Sequence, residues 1–216
     1  MRLLPAALLL TVIGSHLSAD DPADESDFVA VFDGQTLTGW VGAVDGYAVE
    51  EGAITCIAEK GGNLMSEKEY ADFILRLEFK IPPGGNNGIG LRAPLNAHVA
   101  TQGMEIQVLD DSSEKYANLH EYQYHGSVYG VIPAKRGFLK PAGEWNVQEI
   151  RCIGKQVTVI LNGETIVDGD IEVASAPMTL DGKEHPGLKR TSGHIGFLGH
   201  GSRVQFRNVR IKEIKS

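Results

Sequence analysis

Only two cysteines, Cys56 and Cys152, occur in the 216 residues. A structural zinc site needs more thiolates at closer spacing, so that class is excluded. One disulfide remains open, but the apolar runs around both residues favour two buried thiols. Positive charge is also in short supply: 20 Lys+Arg stand against 28 Asp+Glu, a net charge of −8. A general nucleic-acid binder carries the opposite sign to meet phosphate. After the first residues, no apolar run approaches the ~18 residues that cross a bilayer. No stretch of ten or more residues keeps a helical period. The phosphate loop GxxxxGK[ST], the HExxH metal motif and the GxSxG nucleophile elbow are all absent.

Glycine, by contrast, is abundant. The chain has 26 Gly and nine Pro, which implies many turns and suits a β-rich fold. Hydrophobic residues make up 42% and charged residues 22%, enough to bury a core. The N-terminus starts with Arg2, an apolar run over 3–13 and the small-residue exit Leu17-Ser18-Ala19. That run is too short to span a bilayer and reads as a secretory signal over 1–19. Residues 20–27 (DDPADESD) read as a disordered acidic leader. Residues 28–216 are then one domain, exported to the periplasm or secreted.

From Phe28 onward the dominant period is two. In 72–81 (DFILRLEFKI), Phe73, Leu75, Leu77, Phe79 and Ile81 share one face, and Arg76, Glu78 and Lys80 the other. That predicts a strand with one buried and one solvated face. Asn162-Gly163 and Glu51-Gly52 predict hairpins. Residues 145–153 and 193–198 are further strands. The alternation slips by one residue at Arg207-Asn208, which predicts a bulge. About a dozen short strands in one domain predict an all-β sandwich or jelly roll of two antiparallel sheets.

The segment 103–111 (GMEIQVLDD) carries the first candidates. As a strand it sends Ile106 and Val108 to the core, and Glu105 and Gln107 to a cleft or to solvent. A bulge near Leu109 would return Asp110 to that face, and paired carboxylates serve acid/base and glycosyl chemistry. In 86–92 (NNGIGLR), Gly88 and Gly90 bare one sheet face to a ligand. Arg92 shares their phase and could hold an enolate, with Asn87 beside it for substrate hydroxyls. His125 and His200 titrate near neutrality and lie beside loop glycines. Lys135 lies in a long loop, and Tyr129 and Trp145 could stack on a sugar ring. A divalent cation held by Asp110, Glu105 and a His suits these residue types, but no spacing requires one.

Several blocks resemble a known family. They are Phe32–Trp40 (FDGQTLTGW), Glu69–Arg92 (EYADFILRLEFKIPPGGNNGIGLR), Gly103–Asp110 (GMEIQVLD), Val128–Pro133 (VYGVIP), Pro141–Ile150 (PAGEWNVQEI) and Gly193–Ile211. In order and content they are similar to the 3-keto-disaccharide hydrolase (3-keto-glucoside lyase/hydratase) domain, from about Phe28 to Ile214. Two places depart from its pattern: Leu198-Gly199-His200 lacks a polar pair before the histidine, and His125 precedes Gly126. The resemblance implies a concanavalin A-like lectin/glucanase jelly roll, export, and an oligosaccharide or glycoside substrate.

It also implies a reaction. A ketone at C3 of a sugar acidifies the C2 proton. A base removes that proton, an enolate forms, the group at C1 departs, and water adds back for net hydrolysis. Such a site needs a base, an enolate stabiliser and an acid. The expected roles are Glu105 or His125 as base, Arg92 with Lys135 or His200 as stabiliser, and Asp110 as acid or metal ligand. Gln107, Asn87, Tyr129 and Trp145 would bind substrate. Two other readings remain: a two-carboxylate glycoside hydrolase using Glu105 and Asp110, and a non-catalytic carbohydrate-binding module.

Overall fold

The computed structural model describes residues 25–215. The secretory-signal segment 1–19 and the first part of the leader lie outside the described residues. The strands in chain order are β1 (Val29–Ala30), β2 (Trp40–Gly42), β3 (Tyr47–Glu50), β4 (Ala53–Cys56), β5 (Gly62–Tyr70), β6 (Phe73–Lys80) and β7 (Asn86–Ala93). They continue as β8 (Met104–Leu109), β9 (Trp145–Ile153), β10 (Gln156–Leu161), β11 (Glu164–Asp170), β12 (Gly193–Gly199) and β13 (Gln205–Glu213). Two single-turn helices, α1 (Val99–Gln102) and α2 (Ile171–Ala174), interrupt them.

The strands form two antiparallel sheets, as the alternation predicts. One has eight strands in the order β11-β10-β9-β6-β13-β4-β3, with β1 added beside β13. The other has five, in the order β2-β5-β12-β7-β8. Strand β6 shows why: its residues alternate between buried and half-buried along its whole length. Phe73, Leu75, Leu77 and Phe79 of β6 belong to one buried apolar cluster with Ile89, Ile106, Val108 and Phe197 of the five-stranded sheet. Each such side chain taken out of water stabilises the fold by ~1.5–3 kcal/mol. Trp40, Phe197 and Phe206 stack in series through this core, with centroids 5.3 and 3.9 Å apart.

The turns follow the sequence. Asn162-Gly163 and Glu51-Gly52 both have two successive positive φ values, the backbone of a type I′ hairpin. The slip at Arg207-Asn208 is a bulge, with Asn208 at φ 51° and the register with β6 shifting between Arg207 and Arg210. Cys56 and Cys152 are free and buried. They lie on β4 and β9, three strand spacings apart in one sheet. That is about 14 Å, twice the reach of a disulfide. The end of the leader is tied down: Glu25–Asp27 forms a 3-10 turn, Glu25 pairs with Arg76 and Arg210, and Asp27 pairs with Lys212.

The five-stranded sheet has a second face, and part of it is covered as well. Met65, Ala93, Val99 and Leu198 form a small apolar cluster there. Gly90 lies beneath it: a Cβ on Gly90 would stand 3.0 Å from Val99. Segment 126–132 closes the edge strand β8. Gly126 N donates to Gln107 O, Gln107 N to Ser127 O, and Tyr129 N to Glu105 O. Covering a sheet edge in this way removes an aggregation surface. Here it also brings Tyr129 alongside Glu105.

Candidate active site

The phase of β8 is set by Met104, Ile106 and Val108, which enter the core. Glu105 and Gln107 therefore point to the other face, into a cleft of about 270 Å³. The cleft floor includes Asn86, Glu105 and Gln107. Tyr116, Gln123 and Tyr129 also line it, together with the exposed His98, Lys183 and His200. Its volume lies just below the ~300–1,000 Å³ of ligand pockets, which limits it to a small ligand.

Glu105 is 8% exposed. Burial pushes its carboxyl up to about 7, with no charged or hydrogen-bonding partner contributing. A carboxyl at that value is half ionised near neutrality, the range in which a general base works best. Gly88 makes room for it on the neighbouring strand, since a Cβ there would stand 2.1 Å from Glu105 Oε1. Two more polar atoms of the cleft residues are buried without partners among the described residues: Asn86 Oδ1 and Gln107 Oε1. Unpaired buried acceptors cost ~1–3 kcal/mol each and are relieved by a ligand carrying donors. Gln123 Nε2 donates to Tyr129 Oη at 3.0 Å, which leaves the phenol proton free to be given away.

Of the residues expected from the sequence, the fold brings Glu105, Gln107, Tyr129 and His200 to one cleft and leaves six elsewhere. Arg92 is the main correction. The register of β7 against β12 moves from Gly90↔Gly196 to Ala93↔His194, so β7 carries one extra residue. Arg92 sits at that bulge with φ 46°. The bulge breaks the alternation that would have placed it beside Gly88 and Gly90. Its guanidinium is 1% exposed and is spent on Ala71 O, Gly154 O, Cys152 O and Asp72 Oδ1.

His125 lies in the core, stacked on Phe79 with centroids 4.9 Å apart. Its Nδ1 accepts from Leu109 N, so Nε2–H donates to Gln148 Oε1. Burial drives its pKa down to about 4, against the weaker upward pull of Gln148, and the ring is neutral. It cannot reach the cleft as a base. Asn87 also faces the core, where its Oδ1 accepts from Gly88 N and Leu198 N. The neighbour Asn86 takes its expected place.

Asp110 does not return to the face of Glu105. It staples a loop: Oδ2 accepts from Gly84 N, and Oδ1 from Ser112 Oγ and N. Burial raises its carboxyl, but the Ser112 hydroxyl and the Gly84 and Ser112 N–H groups outweigh that and hold it below its ordinary value. Its Cα lies five extended steps from that of Glu105, about 16 Å, and it does not line the cleft. Two-carboxylate hydrolysis needs ~5–5.5 Å or ~6.5–9.5 Å, so that pairing is not available. The same separation, with His125 in the core, breaks up the set offered for a divalent cation. Among the described residues no three His, Cys, Asp or Glu side chains gather as a metal-binding group.

Lys135 is exposed, and its backbone N–H bonds Ile166 O of the other sheet. Trp145 lies on the outer face of the eight-stranded sheet, with Lys80 and Arg207 over its ring at 4.8 and 4.0 Å. Neither lines the cleft. The residues that sequence reasoning missed are Asn86, His98, Tyr116, Gln123 and Lys183. Asn86 was within reach, because it shares the phase of Gly88.

Comparison with known proteins agrees with the two-sheet fold. A 3-keto-disaccharide hydrolase of Bacteroides thetaiotaomicron is 27% identical over 88% of this chain and 80% of its own length. A crystal structure from Parabacteroides distasonis, provisionally described as a glycosyl hydrolase, superposes with a TM-score of 0.76 at 28% identity, covering 87% of this chain and 99% of that one. A second from the same organism gives 0.75 at 26% identity, covering 88% and 94%. The model of the 3-keto-alpha-glucoside-1,2-lyase-like domain matches residues 27–212, and the chain belongs to that family.

Proposed function

We propose that this protein cleaves 3-keto-glycosides by elimination followed by hydration. The observation that carries the reading is Glu105: a buried carboxyl, raised to about 7 by desolvation alone, in a small cleft with unpaired acceptors. Family membership supplies the substrate class as a starting point.

The steps follow from the positions. Glu105 takes the C2 proton of a ring whose C3 carbonyl acidifies it, and the C2–H electrons move onto the C3 oxygen as an enolate. Lys183 and the Gln107 amide stand at the cleft to hold that oxygen. The enolate collapses, a C1=C2 double bond forms, and the C1–O bond breaks. Tyr129 gives its free phenol proton to the departing oxygen. Water then adds to C1 and a proton to C2, so one water is consumed per glycosidic bond. Asn86 Oδ1 and Gln107 Oε1 accept from ring hydroxyls, and His98 and His200 line the cleft.

The N-terminal sequence supports export: a positive residue, an apolar run too short to span, and a small-residue exit before an acidic segment. Among the described residues no helix is long and apolar enough to cross a membrane.

The test is incubation of residues 20–216 with a 3-keto-glucoside, with and without chelator, and mass spectrometry of the products. Release of the aglycone, lost in Glu105→Gln, is the expected result. Glycan affinity with no turnover of any keto-sugar would replace this reading with a binding module.

A further inference from the structure

Tyr129 lines the cleft, and one neighbour decides which way its hydroxyl points. That neighbour is Gln123, at the end of the 3-10 turn Glu121–Gln123. Gln123 Oε1 accepts from the His120 backbone N–H at 3.1 Å, and Gln123 Nε2 donates to Tyr129 Oη at 3.0 Å. The first bond fixes the second. A backbone N–H only donates, so the amide atom beside it is the oxygen, and the amide atom turned to Tyr129 is the NH2. An amide NH2 donates and does not accept. The phenol oxygen therefore accepts from Gln123, and its single proton points elsewhere.

The turn that carries Gln123 is itself tied to the segment that closes β8. Ser127 Oγ donates to Glu121 O and accepts from Ala134 N. The Tyr122 ring packs edge-on against Tyr129 with centroids 6.1 Å apart, and His120 stacks on Tyr122 at 5.3 Å. Gln123 and Tyr129 are both half-buried and both line the cleft, so the pair faces the substrate.

We propose that Gln123 is a positioning residue: it aims the Tyr129 proton at the departing oxygen and then holds the phenolate left behind. The inference rests on the elimination reading of the cleft. As the C1–O bond breaks, the phenol O–H bond breaks with it. The proton goes to the departing oxygen, and the electron pair stays on Tyr129 Oη. The Gln123 N–H already points at that atom, and a donor there favours its charged form. When water adds to C1, its proton returns to Tyr129 while Glu105 gives its own to C2, and both groups are restored.

Gln123→Glu tests this with hardly a change of shape. The carboxylate keeps the bond from His120 N–H, but its second oxygen accepts the Tyr129 proton and repels a phenolate. Two substrates separate the effects in the protein from residue 20 onward. Methyl 3-keto-α-glucoside must expel an alkoxide, which needs a proton. The p-nitrophenyl 3-keto-α-glucoside expels a stable anion, which needs none. For the methyl glucoside kcat/KM is expected to fall about 100-fold, the low end of what a general acid contributes. For the p-nitrophenyl glucoside it is expected to stay near wild type, which also shows that the variant is folded. Tyr129→Phe should give the same selectivity. In that background Gln123→Glu should cost nothing more, because the proton it acts through is gone. Equal losses on both substrates, no loss on either, or additive losses in the double variant would each overturn the proposal and leave the elimination reading standing. A wild type that turns over neither glucoside removes that reading, and the positioning role with it.

Discussion

Gly88 and Glu105 occupy one space between them. The two lie diagonally across β7 and β8, and the carboxylate of Glu105 rests where a side chain on Gly88 would be, 2.1 Å from an added Cβ. The bare strand position is thus what seats the carboxylate. Gly88→Ala is expected to push the carboxylate out of line and to lower kcat/KM about 100-fold, since a shift near 1 Å costs that much. Steady-state kinetics beside a thermal melt checks it. Full activity in the alanine variant would mean that Glu105 has free travel and is not held for proton transfer.

The pH profile follows from the same burial. The carboxyl is raised to about 7, so the base form is lost as pH falls through 7. Below that point kcat/KM is expected to drop about tenfold per pH unit, and above it to level off. Glu105→Gln should lose ~10²–10⁴-fold at pH 8. A profile of kcat/KM from pH 5 to 9 decides it. An inflection near 4.5, the ordinary value for glutamate, would show that the site is wetter than its geometry implies.

The strands were legible because apolar side chains at every second position leave few alternatives. The phase of β6 and β8 follows from Phe73, Leu75, Ile106 and Val108 alone, and Glu105 and Gln107 fall on the cleft side with it. The same logic misplaced Arg92. Nothing in NNGIGLR announces an extra residue, and a non-glycine at φ 46° carries no sequence signal. Lys183, His98 and Gln123 come from irregular segments, where no period says which way a side chain points. His125 looked free for the same reason, and only the packing against Phe79 shows that it is not.

Arg92 is a structural group, and its loss is expected to act on stability. Its guanidinium ties the β6 entry at Asp72 to the hairpin at Gly154, which also takes the Asp72 carboxylate through its own N–H. Arg92→Lys keeps the charge but loses the fork of donors. Breaking a buried, hydrogen-bonded ion pair costs ~3–5 kcal/mol, and the retained ammonium should lower that to about 2–3 kcal/mol. Urea denaturation gives the stability, and active-site-normalised kcat gives the chemistry. A loss of kcat beyond ~100-fold with unchanged stability would restore Arg92 to the site.

The two most strongly shifted groups of this region oppose each other in acid. The Glu105 carboxyl is raised from 4.5 to about 7, so its contribution to stability is full below 4.5 and lost as pH rises through 7. His125 is lowered from 6.5 to about 4, so its contribution is present above 6.5 and lost as pH falls through 4. Each of the two effects is worth on the order of 3 kcal/mol. Between pH 7 and 4.5 the wild type therefore gains from one group what it loses through the other, and its stability should stay nearly level. Glu105→Gln removes the gain. That variant should be more stable than wild type by about 3 kcal/mol at pH 8, where a buried charge has been replaced by a neutral amide. Its advantage should vanish by pH 4.5, so that its stability falls by about 3 kcal/mol across the window in which wild type is flat. Urea titrations of both proteins at several pH values test the crossing. Parallel curves would mean that Glu105 is ionised at little cost, and the case for it as a poised base would go with them.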